Sequence, residues 1–311
     1  MKITSNTRTA YILTIHKNPE QVNKFIKQIV LDDHADVFIH IDKKYYNNLV
    51  NKIVKHSNVI ILKESIDVKW GDITQVDATN LLLKEVISTG VEYDFVCFRS
   101  GQDLLVKNGF KEFLMENKEK IFMNAYLVNR KEPHAAFANV SWPISSRKLY
   151  LNPFHPNRIF RRVIQVCYGV GLNLFPNPNN LPDSYSIYNG SNWFCIPFKV
   201  VQYINRFLEE NEWYYKAFKN SLCPDEFFYQ TLIMNSEFKT DVIDNNLMYI
   251  KFGDTLKTRN NPITLKMEHI STIESSNEFF ARKFDEAIDN EVIEYYSKAI
   301  SAKKQKVPEE L

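Results

Sequence analysis

Up to residue 125 the chain alternates between short apolar runs and longer amphipathic ones, and this alternation limits the fold more than any other feature. Apolar runs occur at 10–15, 37–41, 58–62, 94–98 and 121–125. Between them lie stretches of helical period, over Pro19–Val30 and over 72–87, where Asp72 and Gln75 are spaced as a capping box. Strands separated by helices of this length are joined by crossovers. That connection gives a mainly parallel central sheet flanked by helices, an α/β fold. In such sheets ligands bind beyond the carboxyl ends of the strands. The loops to watch are therefore His16-Lys17-Asn18, Asp42-Lys43-Lys44 and Ser100-Gly101-Gln102-Asp103.

The pattern changes over 126–190. No acidic residue occurs between Glu132 and Asp183, whereas Arg147, Lys148, Arg158, Arg161 and Arg162 are present. Pro143, Pro153, Pro156, Pro176, Pro178 and Pro182 argue against a long helix there. The segment reads as a basic, aromatic, loop-rich insertion in the α/β frame. From Ser191 onward the patterns predict a strand, a helix at 198–208, a helix opening at Pro224 and a strand at 247–252. Helical patterns at 265–273 and 285–300 follow, and 301–311 reads as a solvated tail.

Several function classes are excluded by what is missing. No G-x-G-x-x-G or G-x-x-x-x-G-K-[ST] loop is present, against a Rossmann dehydrogenase or a P-loop NTPase, and no G-x-S-x-G elbow occurs. A net charge of +2 provides no global basic excess for binding nucleic acid. No Asp-x-Asp follows a strand, so a nucleotide-sugar diphosphate would need side-chain cations rather than a carboxylate-held metal. Lys257, Arg259, Lys266, Arg282 and Lys283 are available for that. Cys97, Cys167, Cys195 and Cys223 include no C-x-x-C pair, which fits a reducing cytosol better than a disulfide framework. The amino-terminal residues lack a signal-peptide apolar region and no window approaches a membrane span, so a cytoplasmic protein is expected.

The stretch Ser221-Leu-Cys-Pro-Asp225-Glu226-Phe-Phe places two carboxylates at a predicted helix start. Pro224 suits the first turn, and Phe227, Phe228, Leu232 and Ile233 would anchor the helix. Two readings stand at this point. Asp225 and Glu226 cap the helix, or one of them faces a cavity and takes a proton from a hydroxyl nucleophile.

The chain resembles the Core-2/I-branching β-1,6-N-acetylglucosaminyltransferases, a family that also contains peptide O-xylosyltransferases. The resemblance is carried, in order, by Ala10-Tyr-Ile-Leu with His16-Lys17, Phe38-Ile-His-Ile-Asp42-Lys43-Lys44, and Val68-Lys-Trp70-Gly71 with Ala78. Ser100-Gly101-Gln102-Asp103 with Val106-Lys107, Gly190-Ser191-Asn192-Trp193-Phe194, Pro224-Asp225-Glu226 with Thr231, and Phe280-Ala281-Arg282-Lys283-Phe284-Asp285 follow. It implies a GT-A type fold and an inverting, metal-independent transfer from a UDP-sugar, foremost UDP-N-acetylglucosamine, with no cofactor; the alternatives are the same fold using UDP-galactose, UDP-glucose or UDP-xylose, or a non-catalytic glycan- or nucleotide-binding module. Glu226 matches the general base. Lys283 and Arg259 match the ligands of the donor diphosphate, and Asp42 the ligand of the base; His16, Trp70 and Asp103 join the donor side. Asp225, Trp193 and Ser191 fall on the acceptor side. The implied organisation is one domain over 1–300, with a nucleotide-binding half to about 125 and an acceptor half beyond it.

Other roles remain open for these residues at the level of sequence. Lys283 could be a helix-start charge, Asp42 a turn residue, Asp103 a brace for its loop, and Trp70 and Trp193 core packing. The implied acceptor is a bacterial surface glycan, free or lipid-linked. Tyr150, Phe154 and Phe160, interspersed with Arg158, Arg161 and Arg162, suggest peripheral membrane contact through 146–166; an acceptor groove or a subunit face is the alternative.

Overall fold

The computed structural model describes residues 8–30, 35–255 and 261–302. Its strands are β1 (Thr9–Ile15), β2 (Ala35–Ile41), β3 (Val59–Ile61), β4 (Phe95–Ser100), β5 (Asp103–Leu105), β6 (Ile121–Met123), β7 (Tyr126–Val128), β8 (Ile187–Asn189), β9 (Phe194–Pro197), β10 (Val242–Asp244), β11 (Met248–Ile250) and β12 (Phe280–Arg282). They belong to two compact units interleaved along the chain. Met1–Ser65, Val91–Lys118 and Leu247–Leu311 form the first, and Ile66–Gly90 and Glu119–Asn246 the second. The chain therefore passes between units several times, where the sequence reading divides it once near residue 125.

In the first unit β4, β1, β2 and β3 lie side by side, all parallel. Every residue of β2 is buried, as is nearly all of β1, which is the signature of a parallel strand covered on both faces. One covering element is the helix Pro19–Val30, which buries Val22, Phe25, Ile26 and Ile29 at helical spacing. Within that stripe Gln28 gives its amide to the carbonyls of Leu105 and Tyr296 and accepts from the Leu105 N–H, so a buried polar group is fully used. A second small sheet, β11-β12-β5, pairs β12 antiparallel to β5.

Several boundaries differ from the sequence reading. The helix expected over 72–87 runs Thr74–Ser88 and belongs to the second unit. Asp72 and Gln75 form no capping box. Asp72 accepts from Thr74 N–H and pairs with Arg147 at 2.9 Å, while Gln75 accepts from Gly71 N–H. Residues 280–282 are strand, so Lys283 follows a strand end and is not a helix-start charge; the last helix begins only at Asn290.

In the second unit β10 runs parallel to β6, and β6 antiparallel to β9. The basic segment does contain a regular helix, Pro156–Gly169. Pro156 occupies its first turn, where a missing N–H is harmless, and the His155 ring accepts from Asn157 N–H. Trp142, Val140, Ala136 and Ile164 form a core with Leu222 and Cys223, and Phe160 packs against it. Four side chains expected on a membrane-facing surface are thus otherwise engaged. Phe160 joins this core. Tyr150 stacks on His155 and bonds the Ser145 carbonyl, Arg158 bonds the carbonyls of Tyr150 and Leu151, and Arg161 bonds those of Ser146 and Lys148.

Gly190, which follows β8, fixes the approach of that strand end to the loop after β6. A Cβ on Gly190 would lie 1.9 Å from the Asn124 carbonyl oxygen, a backbone atom that cannot swing away. Gly190→Ala should therefore cost about 3 kcal/mol, read as a lowered midpoint in urea unfolding; a midpoint within error of the parent would contradict this packing.

Candidate active site

The second unit holds the paired carboxylates. Phe228–Met234 is the helix proper, and Pro224–Glu226 is a single 3-10 turn set off from it by Phe227. The helix-dipole reading of Asp225 and Glu226 is therefore not what the structure shows. Cys223 precedes the turn in the left-handed region, at φ 51° and ψ 53°, and its N–H donates to the Gly71 carbonyl at 3.1 Å. Phe227, Phe228, Leu232 and Ile233 are buried, as the apolar pattern requires. The turn is thus clamped from below by core side chains and from one side by Gly71.

Asp225 is buried. Its Oδ2 accepts from Gln75 Nε2 at 2.6 Å and from Asn192 Nδ2 at 3.3 Å. Burial raises its pKa well above the ordinary carboxylate range, partly offset by the hydrogen bonds it accepts. Glu226 is half-buried, and its backbone carbonyl accepts from Gly190 N–H at 2.9 Å and Asn189 Nδ2 at 3.2 Å. Burial pushes its carboxyl up, and the Asp225 charge pushes it further. Two adjacent carboxyls in one poorly hydrated place hold their protons more tightly than either would alone.

Around them the same unit places groups that the sequence did not single out for chemistry, Tyr126 and Gln75, beside Ser191, Trp193 and Trp70, which it did. The Tyr126 hydroxyl is raised by partial burial and then by the charges of Glu226 and Asp244, which puts it within electrostatic reach of Glu226. Gln75, assigned to a cap from its spacing, holds Asp225 instead. Ser191 accepts from Asn246 at 2.5 Å and donates to Asn124 at 3.1 Å, so its hydroxyl ties loops together. Trp193 follows on the strand-entry loop and is half-buried. Trp70, named with the donor side, lies in this unit, 42% exposed, with the Arg161 guanidinium 5.2 Å from its ring centroid. No sequence signal pointed to Tyr126; the Gly190-Ser191-Asn192 piece was the only hint of Asn192.

The first unit gathers the other candidates at the carboxyl ends of its parallel strands. His16 and Lys17 follow β1, Asp42 follows β2, and Ser100 ends β4. Gly101 sits where a Cβ would come within 3.0 Å of Ile15 and Val22, so the backbone there packs closely on the β1 end. The His16 ring lies 6.2 Å from that of Tyr45 and is exposed. Asp42 accepts from Lys44 N–H at 3.0 Å and pairs with Lys44 Nζ at 3.2 Å, so it shapes its own turn at the strand ends.

The 100–103 and 282–285 loops are laced together. Phe284 N–H donates to the Gln102 carbonyl, and Gln102 Nε2 to the Phe284 carbonyl. Asp103 has no exposed side chain. It accepts from Ser100 N–H and Oγ at 2.7 and 2.8 Å and pairs with Arg282 at 3.2 Å, so it braces the loop and cannot itself touch a bound molecule. Lys17 pairs with Asp285 at 2.6 Å. Lys283 is half-buried; burial lowers its pKa, and the charges of Lys17 and Arg282 lower it further. A cluster that already destabilises its own ammonium group is one that an anion would relieve. Arg259 and Lys257 lie outside the described residues. Among the described residues no three His, Cys, Asp or Glu side chains group as a metal site, and all four cysteines are free thiols.

The sequence profile of the family described as "Core-2/I-Branching enzyme" matches residues 9–278. Among curated proteins, Xylosyltransferase oxt of Drosophila melanogaster is 22% identical over 93% of this chain and 33% of its own length. Xylosyltransferase 2 of Rattus norvegicus is 21% identical over 92% of this chain and 33% of its own. The chain thus spans about a third of the length of these relatives. Among solved structures, mouse xyloside xylosyltransferase 1 in its apo form aligns over 74% of this chain and 83% of that one, with 10% identity and a TM-score of 0.33. So slight a likeness bears on neither fold nor activity.

Proposed function

The chain belongs to the Core-2/I-Branching enzyme family, and from that membership and the two residue clusters we propose that it is an inverting GT-A type glycosyltransferase using a UDP-sugar. The observation that carries this reading is the half-buried Glu226, whose affinity for protons is raised by burial and by Asp225. An efficient general base has a pKa close to the working pH, and an ordinary surface glutamate does not.

In the proposed step Glu226 takes the proton from an acceptor hydroxyl as its oxygen bonds to the anomeric carbon. The bond from that carbon to the diphosphate oxygen breaks on the opposite face, and its electron pair leaves with UDP. Lys283 and Arg259 neutralise the departing charge; Lys17 adds to the field, and Arg282, pinned by Asp103, does so from behind. Side-chain cations at the diphosphate supply what a metal would otherwise supply. Asp42 binds the base, with His16 beside it. Asp225 and Trp193 serve the acceptor side, and Trp70, partly exposed with Arg161 by its ring, serves the donor.

The acceptor is proposed to be a surface glycan, free or lipid-linked. For the donor, the branching family supports N-acetylglucosamine. The relatives' names favour a second reading, UDP-xylose. Slow hydrolysis without acceptor separates them: the true donor should release UDP at least about tenfold faster than the other, the scale on which a pocket rejects a poorly fitting group.

Glu226→Gln should keep UDP binding while turnover falls about 10²–10⁴-fold; near-normal turnover would remove Glu226 from this role. Because the base acts ionised and its pKa is raised, activity should climb with pH on a limb displaced upward from the usual glutamate value near about 4.3. Asp225→Asn removes the neighbouring charge and should move that limb to lower pH. An unmoved limb would show that the two carboxyls are not coupled.

Lys283→Ala should weaken UDP about tenfold or more, the scale of one charge-assisted hydrogen bond, with little change for uridine. Activity should persist in EDTA. Equal losses for UDP and uridine, or restoration by Mn²⁺ after chelation, would count against the cationic clamp.

A further inference from the structure

We propose that the face carrying the helix Pro156–Gly169 docks on a membrane surface rich in anionic lipid. Ile159, Val163, Val166 and, just past the helix end, Val170 are 47%, 46%, 61% and 78% exposed. Their spacing sets them in one stripe along the helix. A different face of the same helix, through Ile164, Phe160 and Tyr168, is packed on the Trp142 core. The helix is therefore held to the protein on one side and apolar on another that nothing among the described residues covers. Phe154 at 74% and Leu151 and Leu172 at 64% and 56% extend the apolar surface on either side of it. Single exposed aliphatic residues are ordinary, whereas a contiguous run of them marks a surface that is covered in use.

Charge selects the occupant. Arg162 is exposed at the edge of the stripe by helical spacing, Lys148 is exposed in the same segment, and the whole of 133–182 contains no acidic residue. Aliphatic side chains flanked by cations suit the boundary between lipid headgroups and acyl chains, and the cations favour anionic headgroups. A second copy fits poorly, because two such faces would bring like charges together with no carboxylate in the segment to pair them. This inference is separate from the proposed transfer reaction and is tested without donor or acceptor.

The full chain should float with vesicles of equimolar phosphatidylcholine and phosphatidylglycerol, and less so as salt is raised. Binding to phosphatidylcholine alone should be weak. Val166→Asp with Val170→Asp should lower binding about tenfold or more and leave the thermal midpoint unchanged, since both side chains point away from the core. Lys148→Ala with Arg162→Ala should reduce binding to the anionic vesicles about fivefold for each charge removed. A parent chain that floats with neither vesicle would overturn the proposal. So would a concentration-dependent dimer in size-exclusion chromatography that the paired Asp substitutions dissolve.

Discussion

The arrangement depends on placing two adjacent carboxyls where little water reaches them. Desolvation disfavours both charges and each charge disfavours the other, so the Asp225–Glu226 pair binds protons more tightly than free carboxyls do. Such a pair survives only if its surroundings are rigid. Gln75 and Asn192 both donate to Asp225 Oδ2, leaving Oδ1 buried without a hydrogen-bond partner, and Gly190 and Asn189 hold the Glu226 backbone. The left-handed Cys223, tied to Gly71, forces the turn that presents them.

The basic segment makes that rigidity possible. Its core of Trp142, Val140 and Ile164 includes Leu222 and Cys223, the residues directly before the carboxylate turn. A stretch that reads as an irregular insertion is therefore the wall against which the turn is built. Arg147, buried and paired with Asp72, and Arg161, laid against Trp70, belong to that wall. This is why a basic composition did not translate into a uniformly basic surface.

The first unit works by the opposite charge logic. Parallel strands bring His16, Lys17, Asp42 and Ser100 to one end, and the β5–β12 pairing adds Arg282 and Lys283. Carboxylates there are spent on structure: Asp103 on Ser100 and Arg282, Asp285 on Lys17. Burial lowers the pKa of Lys283, and the charges of Lys17 and Arg282 lower it further, partly offset by Asp285.

Periodicity determined much of this by itself. The buried runs of β1 and β2, the helix Pro19–Val30, the α/β class and the apolar anchors after Glu226 follow from side-chain spacing, which is a local property. The ordered motifs were enough to name the family. Tertiary structure decided the rest, because burial and charge at a residue depend on partners distant in sequence. Only the fold could show that Asp103 is inaccessible, that Gln75 holds a carboxyl and caps nothing, and that Trp70 shares a unit with Glu226. The same holds for the exposed stripe of Ile159, Val163 and Val166: its apolar spacing predicts burial, and only packing reveals which face of the helix the core leaves bare.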